Sequence, residues 1–127
     1  KNGAIFGAVY DIAGLGGNPP EMQTIAYNTS KGAVVNFTRT LACEWGRHGI
    51  TVNVVCPGPT DTALLAGVAE GAPSPEKLME AFTRAIPLGR LGQADDLASA
   101  IAFFASDDAS FITGQVVSVS GGLTMNG

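Results

Sequence analysis

The sequence predicts an α/β fold: a parallel sheet flanked by helices. Three observations carry this prediction. Apolar or β-branched runs of strand length, Ala4 to Val9, Thr51 to Cys56 and Gln115 to Val119, alternate with helix-length segments. The order strand–helix–strand–helices–strand reads as right-handed βαβ units. Ala, Val and Gly dominate the composition, as they do where helices pack closely on a sheet buried on both faces.

The elements follow in order. Ala4 to Val9 is a short apolar run and predicts a buried strand. Asp11 to Thr24 predicts a loop, punctuated by Gly14, Gly16, Gly17, Asn18, Pro19 and Pro20. Ile25 to about Arg47 predicts a long helix, with Val34, Phe37, Leu41 and Trp45 as its buried stripe. Arg47, His48 and Gly49 end it with basic residues and a glycine. Thr51 to Cys56 predicts a strand that Pro57-Gly58-Pro59 stops abruptly. Thr62 to Glu70 is weakly helical, Gly71 to Pro75 interrupts, and Glu76 to Ala85 resumes as a second short helix. Pro87, Gly89 and Gly92 make a turn. Gln93 to Ala105 is a clear helix, with Leu97, Ala100, Ile101 and Phe104 on one face and Asp95-Asp96 complementing its N-terminal dipole. Asp107-Asp108 closes it, Gln115 to Val119 is the last strand, and Ser120-Gly121-Gly122 turns the tail toward the site or a neighbouring subunit.

At 127 residues the chain is sized for one domain, and 46% apolar residues supply a core. A net charge of −4 with no Lys/Arg cluster argues against a nucleic-acid footprint. No signal peptide and no apolar run long enough to cross a membrane is found in these residues, and the first residue is Lys1 rather than Met, as expected of a fragment, a processed chain or a partial chain. Cys43 and Cys56 make no disulfide framework and read as reduced, buried thiols of a cytoplasmic protein. No ligand cluster for a metal is evident. His48, the single histidine, sits at a helix end, where it complements the dipole rather than serving as a base.

The chemistry centres on Tyr27 and Lys31. Spaced i and i+4, they occupy one helix face, one turn apart. A positive charge beside a phenol favours the phenolate, so the pair can give a proton to a carbonyl oxygen or take one from an alcohol. Because Tyr27 and Lys31 extend the apolar stripe toward the N-terminus, they are expected to face the interior or a cleft. Open parallel sheets bind ligands at the carboxyl ends of their strands. The loops after the first two strands carry Tyr10 and Asp11, and Pro57-Gly58-Pro59-Thr60-Asp61-Thr62. A small carbonyl compound and a flat ring could lie among these loops and the Tyr27–Lys31 turn.

Here the chain resembles the short-chain dehydrogenase/reductase family. Tyr27-Asn28-Thr29-Ser30-Lys31 matches its Tyr-x-x-x-Lys motif. Gly49-Ile50-Thr51-Val52-Asn53 with Pro57-Gly58 matches the next strand and loop. Arg90 to Asp96, and Phe111-Ile112-Thr113-Gly114-Gln115 through Gly121-Gly122, match the C-terminal segment. The Gly-Asn-Pro-Pro-Glu-Met loop before Tyr27 is similar to loops of members acting on sugar acids or polyols.

The resemblance implies the C-terminal, catalytic half of a doubly wound Rossmann-like sheet, with NAD or NADP as cofactor and a small alcohol or carbonyl compound as substrate. Tyr27 would be the general acid/base. Lys31 would assist it and bond the nicotinamide ribose. Pro57, Gly58 and Thr62, with Thr60 nearby, would hold the nicotinamide carboxamide. Ala63 to Ala85 would be a mobile flap over the substrate. Copies of the chain are expected to associate as a homo-oligomer through the long helix or the Val116–Val119 edge, with neither nucleic acid nor membrane as partner.

Two departures stand out. The family's substrate-binding Ser corresponds to Asp11, three residues before Gly14. An ionised Asp donates no hydrogen bond and disfavours a nearby phenolate. A protonated Asp11, or Thr24 or Tyr10 as donor, would restore the function. The family's glycine-rich Gly-x-x-x-Gly-x-Gly turn is not found in residues 1–127, and Gly14-Leu15-Gly16-Gly17 follows the wrong strand to replace it. The dinucleotide-binding half is therefore expected to lie outside this chain. The alternative is a non-catalytic fragment that acts as an assembly partner. A hydrolase is disfavoured because His48 lies several helical turns from Tyr27.

Overall fold

A computed structural model describes residues 25–125. The strand expected at Ala4 to Val9, the loop from Asp11 to Thr24, and Tyr10 and Asp11 with them, lie outside the described residues. Among the described residues, 25–56 with 101–117 form one compact unit, and 57–100 with 118–125 a second.

The first unit is built on helix α1, Ile25–Trp45. Its last turn tightens into a 3₁₀ segment, Gly46–His48, and stops at Gly49, whose φ of 70° and bond to the Gly46 carbonyl make a left-handed cap. The buried face of α1 carries Thr38, Leu41 and Ala42. Leu41 and Ala42 cluster with Val52, and Ile50 packs against them. Phe37 and Trp45, expected in the buried stripe, are 55% and 41% exposed. Packing chose the small residues instead. Gly114, at φ 72°, packs beside this small-residue face: a Cβ there would lie an ordinary 3.5 Å from the Ala42 Cβ. Cys43, expected to be buried, is exposed on the same helix. Cys43 and Cys56 form no disulfide.

Strand β1 is Val54–Pro57 and strand β2 is Val116–Val119, paired in a two-stranded sheet. The Val54 N–H donates to the Gln115 carbonyl at 2.9 Å, and the Gly58 N–H to the Val119 carbonyl at 3.0 Å. Partner numbers rise together, so the strands run parallel. The ladder begins three residues later than the β-branched run. Thr51, Val52 and Asn53 are buried, and the last two are tied by other means: the Val52 N–H donates to Thr113 Oγ1, the Gly114 N–H to the Val52 carbonyl, and the Asn53 side chain bridges Ile112 and Gln115.

The second unit carries helices α2, Ala63–Glu70, and α3, Pro75–Ala85, which touch each other. Thr62 caps α2 by accepting from the Leu65 N–H. Pro75 opens α3 at a position where its missing N–H costs nothing. Helix α4, Ala94–Ala105, follows, with Phe104 buried and Leu97, Ala100 and Ile101 half-buried as the periodicity expects. A 3₁₀ turn, Asp107–Ala109, closes it.

Candidate active site

Each unit holds part of the expected constellation. In the first, the opening turns of α1 bring Tyr27 and Lys31 together, the Lys31 Nζ lying 5.6 Å from the centre of the Tyr27 ring. This is cation–π distance, and the ammonium sits over the ring face. Tyr27 is 41% exposed and Lys31 half-buried, so the pair stands at a surface of the described residues rather than in the interior. Ser30 Oγ donates to the Tyr27 carbonyl at 2.7 Å and fastens the backbone between the two. Neither the phenol nor the ammonium makes a hydrogen bond or ion pair with another described residue.

In the second unit, Pro57, Gly58, Thr60 and Thr62 follow one another off the carboxyl end of β1. The Gly58 N–H extends the pairing with β2, and its carbonyl accepts from Thr60 Oγ1 at 2.8 Å. A side chain is barred at Gly58, because its Cβ would fall 2.7 Å from the Ser120 Cα. Thr62 Oγ1 donates to the Thr60 carbonyl at 3.3 Å while capping α2 at 3.4 Å. Both bonds are long, so the hydroxyl is loosely engaged. Gly92 returns alongside: its N–H donates to the Pro59 carbonyl at 2.9 Å and its carbonyl accepts from the Asp61 N–H at 2.8 Å.

Two groupings in this unit were not foreseen. Arg90 grips Asp96 with both terminal nitrogens, at 2.7 and 2.9 Å, and the Gln93 N–H adds a third bond at 2.8 Å. The Arg90 bonds first, and the Gln93 amide second, hold the Asp96 carboxyl down at about 2. The dipole role expected of Asp96 is therefore joined by a clamp that a charge six residues upstream could have signalled. Ser118, Ser120 and Thr124 form a hydroxyl triangle: Ser120 Oγ lies 3.0 Å from Ser118 Oγ and 3.1 Å from Thr124 Oγ1, and Ser118 bonds Thr124 as well. A small cleft of about 100 Å³ opens beside these groups, lined by Pro59, Leu88, Arg90, Asp96 and Ser120 among others.

His48 accepts a bond from Arg47 Nε at the exposed end of α1 and contributes to neither grouping. Among the described residues no cluster of His, Cys, Asp or Glu could hold a metal, and no helix is long and apolar enough to cross a membrane.

Parallel strands, flanking helices and a polar turn beyond the end of β1 define a Rossmann-like α/β protein. Comparisons with known proteins carry the assignment further. The family model described as enoyl-(acyl carrier protein) reductase matches residues 1–124. The acetoacetyl-CoA reductase of Shinella zoogloeoides is 38% identical over 118 residues, which are 92% of this chain and 46% of that protein. Solved structures match as well, and two of them serve as examples. One is a candidate short-chain alcohol dehydrogenase from Sinorhizobium meliloti 1021, with a TM-score of 0.77, 33% identity, and coverage of 96% of this chain and 45% of that one. The other is a candidate NAD(P)-dependent gluconate 5-dehydrogenase from Beutenbergia cavernae with NADP bound at low occupancy, with a TM-score of 0.76, 32% identity, and coverage of 96% and 45%. The chain belongs to the short-chain dehydrogenase/reductase family. It spans about half the length of the curated relatives it matches.

Proposed function

We propose that this chain is the catalytic and substrate half of an NAD(P)-dependent oxidoreductase that interconverts a secondary alcohol and a ketone. The observation that carries the reading is the Tyr27–Lys31 pair, one turn apart, with its donors unengaged by the described residues. The nicotinamide supplies the hydride chemistry when bound. Its fit rests on two donor sets, each taken within its own unit: the Lys31 ammonium for ribose hydroxyls, and the backbone of the Pro57–Thr62 turn with the loosely held Thr62 hydroxyl for a carboxamide. Tyr27 holds the proton that reaches the carbonyl oxygen, or accepts it from the alcohol. Lys31 places its amine 5.6 Å from the centre of that phenol ring. The segment Ala63 to Ala85, which carries α2 and α3, corresponds to the flap that the family resemblance implies. The acetoacetyl-CoA reductase among the relatives and the NADP-bound neighbour support a ketone substrate and a nicotinamide cofactor.

Asp11, at the position where the family carries a donor Ser, favours a second reading, a non-catalytic assembly partner. Tyr27→Phe separates the two. In the assembled protein, carbonyl reduction should fall by about 10²- to 10⁴-fold, the usual contribution of a positioned acid/base, with nucleotide binding retained. Unchanged reduction would establish the non-catalytic reading instead.

A further inference from the structure

The tail beyond β2 is fitted against the connection that leaves α3. Gly121 has φ 64°, and a Cβ there would lie 2.7 Å from Ile86 Cγ2. Gly122 has φ 91°, and a Cβ there would lie 3.0 Å from Pro87 Cγ. The Leu88 N–H donates to the Gly121 carbonyl at 3.1 Å. Ile86 is 3% exposed, so it has little room to retreat. The other face of the same strip meets Gly58, whose missing Cβ makes room for Ser120. The strip itself is stiffened from below: the Thr124 N–H donates to Ser120 Oγ at 3.1 Å and the Leu123 N–H to the Ser120 carbonyl at 3.3 Å, in addition to the hydroxyl triangle. Residues 61–91 therefore leave and return on two pinned feet. One is the Asp61–Gly92 pairing, and the other is the seat of Ile86–Pro87–Leu88 on Gly121–Gly122.

We propose that Gly121 and Gly122 are positioning residues: they form a socket that fixes the second foot of the α2–α3 excursion, and they share their strip with the Pro57–Gly58 turn. Two features make the socket specific. It needs left-handed backbone, which a side chain at either position strains. It also needs side-chain-free close approach, which a Cβ removes even if the strain is borne. That the excursion covers a substrate rests on the function proposed above; the socket does not. It can be tested without nucleotide or substrate, whatever Tyr27→Phe shows.

The test is hydrogen–deuterium exchange of the 127-residue chain, resolved by peptide. Gly121→Ala should speed exchange across Ala63 to Ala85 by about tenfold or more, while Thr38 to Ala42 in α1 stay unchanged. Gly114→Ala is the control: it imposes the same left-handed strain at φ 72°, but its Cβ makes only an ordinary 3.5 Å contact with Ala42, so it should leave Ala63 to Ala85 unaffected. Pro87→Ala, an exposed and fold-safe change, trims the partner surface and should give a smaller rise in the same segment. Ile86→Ala combined with Gly121→Ala should be less than additive, because the crowded methyl is gone. If Gly121→Ala does not fold, Pro87→Ala decides. Equal acceleration of α1 and of Ala63 to Ala85, or no change in Ala63 to Ala85, overturns the proposal.

Discussion

Asn53 shows what one buried amide can do for a parallel sheet. It is fully buried, its Nδ2 donating to the Ile112 carbonyl at 2.9 Å and its Oδ1 accepting from the Gln115 N–H at 3.1 Å. The side chain thus imitates a ladder rung just before β1 begins. Asn53→Ala would take the side-chain partner from the Ile112 carbonyl and from the Gln115 N–H, which belong to a half-buried and an exposed residue, each costing about 1 kcal/mol. The expected loss is about 2 kcal/mol, read as a lower urea midpoint. A midpoint within error of wild type would mean that water reaches both groups. This role was not legible from the run Thr51 to Cys56, which has the hydropathy of one continuous strand. Which residues pair by backbone and which by side chain depends on partners about sixty residues away, beyond the reach of any local pattern. The spacing of Tyr27 and Lys31 was legible, because four residues of helix fix it locally.

Helix ends followed the sequence closely, because their signals are local. Gly49 stops α1, Thr62 caps α2, Pro75 opens α3, and each falls within a residue or two of the expected boundary. The buried face of α1 did not follow. Apolar periodicity put Phe37 and Trp45 inward, but Thr38, Leu41 and Ala42 are the buried residues, packed with Val52 and near Gly114, partners that no pattern within the helix reports. The start of α4 offers a test of charge at this scale. Asp96 is ionised in the fold down to about 2, against an ordinary value of 3.8, because Arg90 and the Gln93 amide bind the carboxylate. Its folded value is depressed, so the clamp stabilises fully above pH 3.8 and is lost as pH falls toward 2. Urea unfolding of wild type and Asp96→Asn should therefore differ at pH 5 and converge toward pH 2. The pair is exposed, so added salt should shrink the difference at pH 5. A gap independent of both pH and salt would show that Asp96 acts by packing alone.

On the scale of the whole molecule, the family and the parallel sheet were legible because order and spacing of motifs survive without coordinates. The proposed division of nucleotide binding rests on the same order and spacing of motifs. The groups proposed to meet the cofactor here, Lys31 and the Pro57–Thr62 turn, address its nicotinamide end, and residues 1–127 contain no Gly-x-x-x-Gly-x-Gly turn for the pyrophosphate. Micromolar binding of a dinucleotide corresponds to about −8 kcal/mol. If the nicotinamide end supplies about half of that, roughly −4 kcal/mol remains, which is millimolar affinity. Titrating residues 1–127 with NADPH, followed by nicotinamide fluorescence, should therefore give a shallow, unsaturated curve through the micromolar range. Thermal stability should be unaffected by micromolar nucleotide, since a ligand far below its dissociation constant shifts folding by almost nothing. A protein that joins these residues to a glycine-rich strand–turn–helix should saturate at micromolar concentration and melt higher. Saturable micromolar binding by the 127 residues alone would overturn this division of labour and place a pyrophosphate site within this chain.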